Sequence, residues 1–205
     1  MFDAKIRIAF NPALDAAATR IANVGISANR LTLAGAILGI AAAAAIAAEY
    51  YGLALMLIAA NRLCDGLDGR VANINGPTEF GGYLDSLCDF LFYVAVPVGF
   101  GIANPANLLP ALLLVAAFTL TGVSFLAYAA IAARQGDGDG AHGQKALIYS
   151  TGVMEGAETI AFFTLMCMLP AHFAGLAYVF TALCAVTVIQ RVRMVSRNYP
   201  RRQAK

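Results

Sequence analysis

Four carboxylates, Asp65, Asp68, Asp85 and Asp89, stand inside a stretch of otherwise largely apolar sequence. Asp65 and Asp68 are three residues apart and Asp85 and Asp89 four apart. On helices each pair projects from one face, and two such helices facing one another bring four oxygen-rich side chains together. An all-oxygen donor set suits hard divalent cations. Carboxylates at membrane depth are costly unless something binds them, so the cluster marks a functional site.

The elements that must position these acids are membrane helices. Hydrophobic residues make up 60% of the 205, charged residues 13%, and mean hydropathy is +0.70. Such a chain is far from the average soluble domain. Residues 31–48 carry no charge and are long enough to span a bilayer. Residues 90–133 are uncharged and broken at Asn104-Pro105-Ala106-Asn107, and residues 159–190 are uncharged and broken near Pro170-Ala171-His172. With the segment that carries the first two acids, the pattern predicts six transmembrane helices, at about 29–48, 50–75, 79–103, 107–134, 144–169 and 171–195.

Charge placement tests that layout. The Lys and Arg residues fall in the N-terminal segment (Lys5, Arg7, Arg20, Arg30), after the second and fourth spans (Arg70, Arg134, Lys145) and toward the C-terminus (Arg191, Arg193, Arg197, Arg201, Arg202, Lys205). Arg62, inside the second span, is the exception. By the positive-inside rule both termini and the acidic cluster face the cytoplasm, and an inner, cytoplasmic membrane of a bacterium is the expected location.

The chain divides by sequence into an amphipathic segment at 1–28, a six-helix catalytic domain at 29–195 and a basic cytoplasmic tail at 196–205. Asp3 and Asp15 interrupt any signal-peptide core. Ile6, Ala9, Phe10, Leu14 and Ala17 recur at helical spacing, which suits an N-terminal interfacial helix on the inner leaflet. Gly136-Asp137-Gly138-Asp139-Gly140 lacks the ligand spacing of a calcium loop and is expected to be a solvated linker. Cys64, Cys88, Cys167 and Cys184 form no metal or redox motif and are expected to pack as small apolar residues. His142 and His172 are expected in loops on opposite membrane sides.

At this point the residues resemble a family. Asp65-x2-Asp68-Gly69-x2-Ala72 followed by Gly81-x3-Asp85-x3-Asp89 is similar to the signature of the CDP-alcohol phosphotransferases (class I CDP-alcohol phosphatidyltransferases), Asp-x2-Asp-Gly-x2-Ala-Arg-x8-Gly-x3-Asp-x3-Asp. Asn29-Arg30-Leu31-Thr32 resembles the Asn-x-x-Thr element that begins the first span in many members. Two departures stand out. Asn73 replaces the Arg after Ala72, and seven residues rather than eight separate it from Gly81. A neutral amide cannot replace a cation beside a diphosphate, so Arg70, one turn earlier, is expected to supply that charge.

The resemblance implies an all-α integral membrane enzyme that transfers a phosphoalcohol group from a CDP-linked lipid donor, typically CDP-diacylglycerol, to an alcohol acceptor, releasing CMP. It implies two divalent cations, Mg2+ or Mn2+, on Asp65, Asp68, Asp85 and Asp89. Asp89, about 15 Å of helical rise into its span, is the candidate general base. Asn29, Thr32, Gly69, Arg70, Ala72, Asn73 and Gly81 are the expected donor-binding set. The glycines admit the nucleotide close to the backbone, and Asn29 and Thr32 offer it hydrogen bonds.

For the acceptor two sets compete. Glu155 and Glu158 share a helical face about level with Asp89 and suit hydroxyls or an amine, with pairing to Arg62 or Arg191 as the structural alternative. Lys145, Arg191 and Arg193 suit an acceptor phosphate. Membrane lipids and a second copy of the chain are the expected partners, with no nucleic acid. The homodimer follows from the family and from the small residues Gly99, Gly101, Ala116, Ala117, Gly122, Gly152 and Gly156. A catalytically silenced member of the fold is the main alternative. A cation channel is disfavoured because the acids gather at one end instead of lining a path.

Overall fold

The computed structural model describes residues 2–134 and 156–198, with side chains from residue 12 to 133 and from 156 to 198. Among the described residues the structure is all helical, with no strand. The helices are α1 (Phe2–Asn23), α2 (Ala28–Ala47), α3 (Tyr51–Asn75), α4 (Glu79–Ala103), α5 (Leu108–Arg134), α6 (Gly156–Met168) and α7 (Phe173–Asn198). Two single 3-10 turns, Pro105–Asn107 and Pro170–His172, fall at the two breaks read in the apolar runs. Helix ends lie within a few residues of those expected. The part of the fifth span at 144–155, the linker at 136–140, His142, Lys145 and Glu155 lie outside the described residues, as does the tail from 199 onward.

Local chemistry explains the boundaries. Gly25 takes a φ of +82° after α1, where Ile26 N–H donates to Ile21 O at 3.2 Å and Gly25 N–H to Ala22 O at 2.9 Å. That pair of bonds is the Schellman C-cap, which needs a left-handed residue. The same pair closes α2, from Tyr50 N–H to Ala45 O and Glu49 N–H to Ile46 O, with Glu49 at a φ of 64°. Gly76, at a φ of 94°, ends α3, and Pro77 cannot continue the helix. Thr78 then accepts from Gly81 N–H at 3.0 Å, an N-terminal cap that starts α4.

Among the described residues four helical stretches are long and apolar enough to cross a bilayer: Ala28–Ala47, Glu79–Ala103, Pro105–Ala133 and Pro170–Asn198. The chain is an integral membrane protein. Helix α2 shows the packing logic. Its buried positions are small except for Ile46 near its end (Thr32, Gly35, Ala36, Gly39, Ala42, Ala45), whereas Leu33, Ile37 and Ile40 are exposed. Large apolar residues outward and small ones inward is the arrangement of a helix solvated by lipid tails. Helix α3 is long enough but carries Arg62, Asp65, Asp68 and Arg70.

The chain forms two compact units, Met1–Gly99 and Phe100–Lys205. In the first, α3 packs along α2 and α1. Ala18 of α1 is fully buried against Leu67 and Val71 of α3, joined by Leu14, Ala17 and Ile21. The apolar stripe expected to face the leaflet is therefore, over its described half, used on α3. Helices α2 and α4 approach so closely that a Cβ on Gly99 would lie 2.6 Å from Ala43 O. In the second unit, Phe118 meets Phe163 and Phe180 edge to face, and Phe100 stacks on Phe173 at 4.3 Å.

Candidate functional site

The site lies wholly in the first unit. One carboxylate oxygen each from Asp65, Asp85 and Asp89 falls within 4.8 Å of the others, the only such cluster among the described residues. Like charges this close repel unless a cation joins them. Asp68, only 5% exposed, stands one turn further along α3 and is held separately. Thr32 Oγ1 donates to Asp68 Oδ2 at 2.6 Å. That bond crosses from α2 to α3, so Asp68 is oriented by a residue 36 positions away in sequence.

Arg62 is the unanticipated member. Its Nη2 donates to Asp89 Oδ1 at 3.1 Å, and Nη1 lies 3.5 Å from Asp65 Oδ2. Its Nε donates to Asn61 Oδ1 at 2.7 Å, and Asn61 Nδ2 donates to Gly35 O at 2.8 Å. The guanidinium also sits 4.7 Å from the ring centroid of Phe92. Glycines make the room: a Cβ on Gly39 would come within 3.0 Å of Phe92 and 3.3 Å of Asn61. Spacing did hold a signal, because Asn61 and Arg62 precede Asp65 by four and three residues, hence share its face.

A cavity of about 450 Å3 opens beside the cluster, lined by Asn29, Thr32, Asp68, Gly69, Ala72, Asn73, Gly81 and Asp85 among others. These include six of the seven residues expected to bind the donor. Ser27, Asn75, Thr78 and Gly82 also line it and were not foreseen. A Cβ on Gly69 would meet nothing within 4 Å, so it would project into open space. Thr32, Asp68 and Asp85 are shared with a recess of about 10 Å3 that reaches Asn61, Arg62, Asp65, Cys88 and Asp89. A recess of that size holds about one water-sized species.

Arg70, the cation expected beside the donor, makes its hydrogen bonds elsewhere. Its Nε donates to Asp15 Oδ1 at 2.8 Å and its Nη1 to Gly66 O at 2.6 Å. It is absent from the cavity wall, while Asn73 is present. An i−3 position shares a face only approximately, and the nearer carboxylate on α1 captures the guanidinium. None of the described residues lining the cavity is Lys or Arg.

The described acceptor candidates, Glu158, Arg191 and Arg193, belong to the second unit. Glu158 and Arg193 are exposed in the second unit. Arg191 is 9% exposed and donates to Thr121 O at 2.8 Å and Ser124 Oγ at 2.7 Å, 5.6 Å from the Phe125 ring centroid. Arg62, the other partner considered for the glutamates, makes its ion pairs with Asp65 and Asp89.

A cluster of carboxylates beside an open cavity, on the helical frame of an integral membrane protein, defines the class. Residues 25–192 match the CDP-alcohol phosphatidyltransferase family, and the chain belongs to that family. It is 42% identical over 193 residues, 94% of each chain, to Inner membrane protein YnjF of Escherichia coli (strain K12). It is 30% identical over 101 residues, 49% of this chain and 54% of the other, to Archaetidylinositol phosphate synthase of Pyrococcus horikoshii. The fold is similar to that of Mycobacterium tuberculosis phosphatidylinositol phosphate synthase solved with CDP-DAG bound, with a TM-score of 0.69 at 21% identity over 94% of this chain and 98% of that one. The same enzyme in complex with manganese and citrate gives 0.66 at 23% identity, over 93% of each chain.

Proposed function

We propose that this protein transfers a phosphatidyl group from CDP-diacylglycerol to an alcohol, releasing CMP. The observation that carries this is the convergence of the motif carboxylates beside a cavity walled by Asn29, Gly69, Ala72, Asn73 and Gly81. An all-carboxylate donor set fits Mg2+ or Mn2+. Asp65, Asp68, Asp85 and Asp89 would hold two such ions, which when bound neutralise the donor diphosphate and the charge developing on CMP.

The chain's own residues do the rest. Thr32 fixes the Asp68 carboxylate. Gly69 leaves open the space into which the donor enters, and Asn29 and Asn73 offer amides to the nucleotide. Asp89 accepts the proton of the acceptor hydroxyl as its oxygen bonds to the phosphatidyl phosphorus, and the phosphoanhydride oxygen departs with CMP. For the acceptor two alternatives stand: Glu155 and Glu158 for hydroxyls or an amine, or Lys145, Arg191 and Arg193 for an acceptor phosphate.

The same proposal includes six transmembrane helices in a catalytic domain at 29–195, α1 along the inner leaflet, a basic tail at 196–205, cytoplasmic termini and site, and a C2 homodimer. A catalytically silenced member is the second reading. It is favoured by one observation, the lack of a described cation on the cavity wall. Purified protein incubated with CDP-diacylglycerol and a panel of alcohols separates the two. CMP release that depends on Mg2+ and stops with chelator supports the enzyme. Donor binding without CMP from any alcohol supports the silenced form.

A further inference from the structure

Arg62 is held by more than the acids that it pairs with. Asn61, itself 3% exposed and bonded to Gly35 of α2, receives the Arg62 Nε–H, and Phe92 of α4 lies under the guanidinium. The cation is thus held at the cluster by α2, α3 and α4 as well as by the carboxylates. It takes Oδ2 of Asp65 and Oδ1 of Asp89. Both acids lie within the group whose oxygens approach to 4.8 Å.

We propose that Arg62 is a built-in counter-ion of the carboxylate cluster, which keeps divalent-cation binding weak until the donor diphosphate arrives. The inference rests on the cation site in the proposed function. A guanidinium on two of the cluster's carboxylates lowers the attraction for a divalent ion and occupies two of its ligand oxygens. A diphosphate brings further oxygens and negative charge, so cation and donor bind as partners. Without Arg62 the cluster would load with metal in the absence of donor. A like charge a few ångströms from a divalent ion changes its affinity by about 10- to 100-fold when screening is close to that of water, the regime of carboxylates that are about a third exposed, as Asp65 and Asp89 are.

The test is Mn2+ binding to detergent-purified protein without donor, read from the electron paramagnetic resonance signal of free Mn2+. Arg62→Met, which keeps length and packing but removes the charge, is expected to bind Mn2+ about 10- to 100-fold more tightly than the unaltered protein. Arg62→Lys, which keeps the charge, is expected to stay near the unaltered value. Unchanged or weaker binding in Arg62→Met overturns the proposal, as does equal tightening in Arg62→Lys. If Arg62→Met does not fold, 15N-arginine spectra of the unaltered protein decide. The Nε–H signal lost in Arg62→Lys is expected to shift on adding Mg2+, and a fixed signal overturns the proposal. CMP release by the unaltered protein is measured separately, so failure of the counter-ion role and failure of the transferase assignment give different results.

Discussion

Thr32→Val preserves side-chain volume and removes the hydroxyl, which donates to Asp68 Oδ2 at 2.6 Å and also lies 3.1 Å from Ala28 O one turn back on α2. Asp68 is 5% exposed, so water cannot readily replace the donor. Hydrogen bonds to charged groups contribute about 1.5–3 kcal/mol, and about 1.4 kcal/mol is a factor of ten. If Asp68 must be ionised and correctly turned to hold cation and donor, the half-saturating Mg2+ concentration for CMP release should rise about 10- to 150-fold. Thr32→Ser, which keeps the hydroxyl, serves as the control and should stay within about fivefold of the unaltered protein, since a lost methyl costs at most about a kilocalorie. The assay is CMP release against Mg2+ concentration at saturating CDP-diacylglycerol. A Thr32→Val protein with an unshifted Mg2+ curve would refute the claim that α2 orients the α3 carboxylate.

Other substitutions test other parts of the structure. Gly99→Ala sets a Cβ 2.6 Å from Ala43 O, so α2 and α4 must part, and thermal unfolding in detergent should show a loss of about 1–3 kcal/mol. Gly69→Ala meets no protein atom within 4 Å, so stability should hold while the KM for CDP-diacylglycerol rises, a split visible in unfolding and steady-state data together. Arg70→Ala removes a part-exposed pair with Asp15, which is 64% exposed, so turnover should change by less than about fivefold, surface pairs contributing only about 0–1 kcal/mol. Asn73→Arg, which places a cation on the cavity wall, should leave CMP release equal or higher.

The breaks at Asn104-Pro105 and Leu169-Pro170 are legible because proline acts locally, through a fixed φ and a missing N–H donor, whereas the glycine ends of α1 and α3, Gly25 and Gly76, show only in the structure's φ angles. The acidic cluster was legible because helical spacing fixes which residues share a face. What spacing does not contain is the partner on another helix. Arg70 was assigned to the cavity on its face alone, yet Asp15, 55 positions away in the chain, holds it. Arg62 was an isolated exception in an apolar run until Asp89, 27 positions on, closed the pair. Thr32 was read as a donor to the nucleotide, whereas its hydroxyl reaches Asp68. The small residues read toward a dimer include Gly99, whose lack of a side chain serves contact within this chain.

Helix α3 has a consequence for how the protein enters its membrane. It brings Arg62, Asp65, Asp68 and Arg70 on one helix of 25 residues. On translocon insertion scales Arg and Asp each cost about 2.5–3.5 kcal/mol at a helix centre, more than the apolar residues of one such segment readily offset. The groups that neutralise these charges come from both sides in the chain: Thr32 and Asp15 precede α3, and Asp89 follows it. A ribosome delivers Asp89 after α3 has already left the exit tunnel. Helix α3 should therefore linger at the translocon until α4 emerges, and insert with its neighbours as one unit rather than in turn.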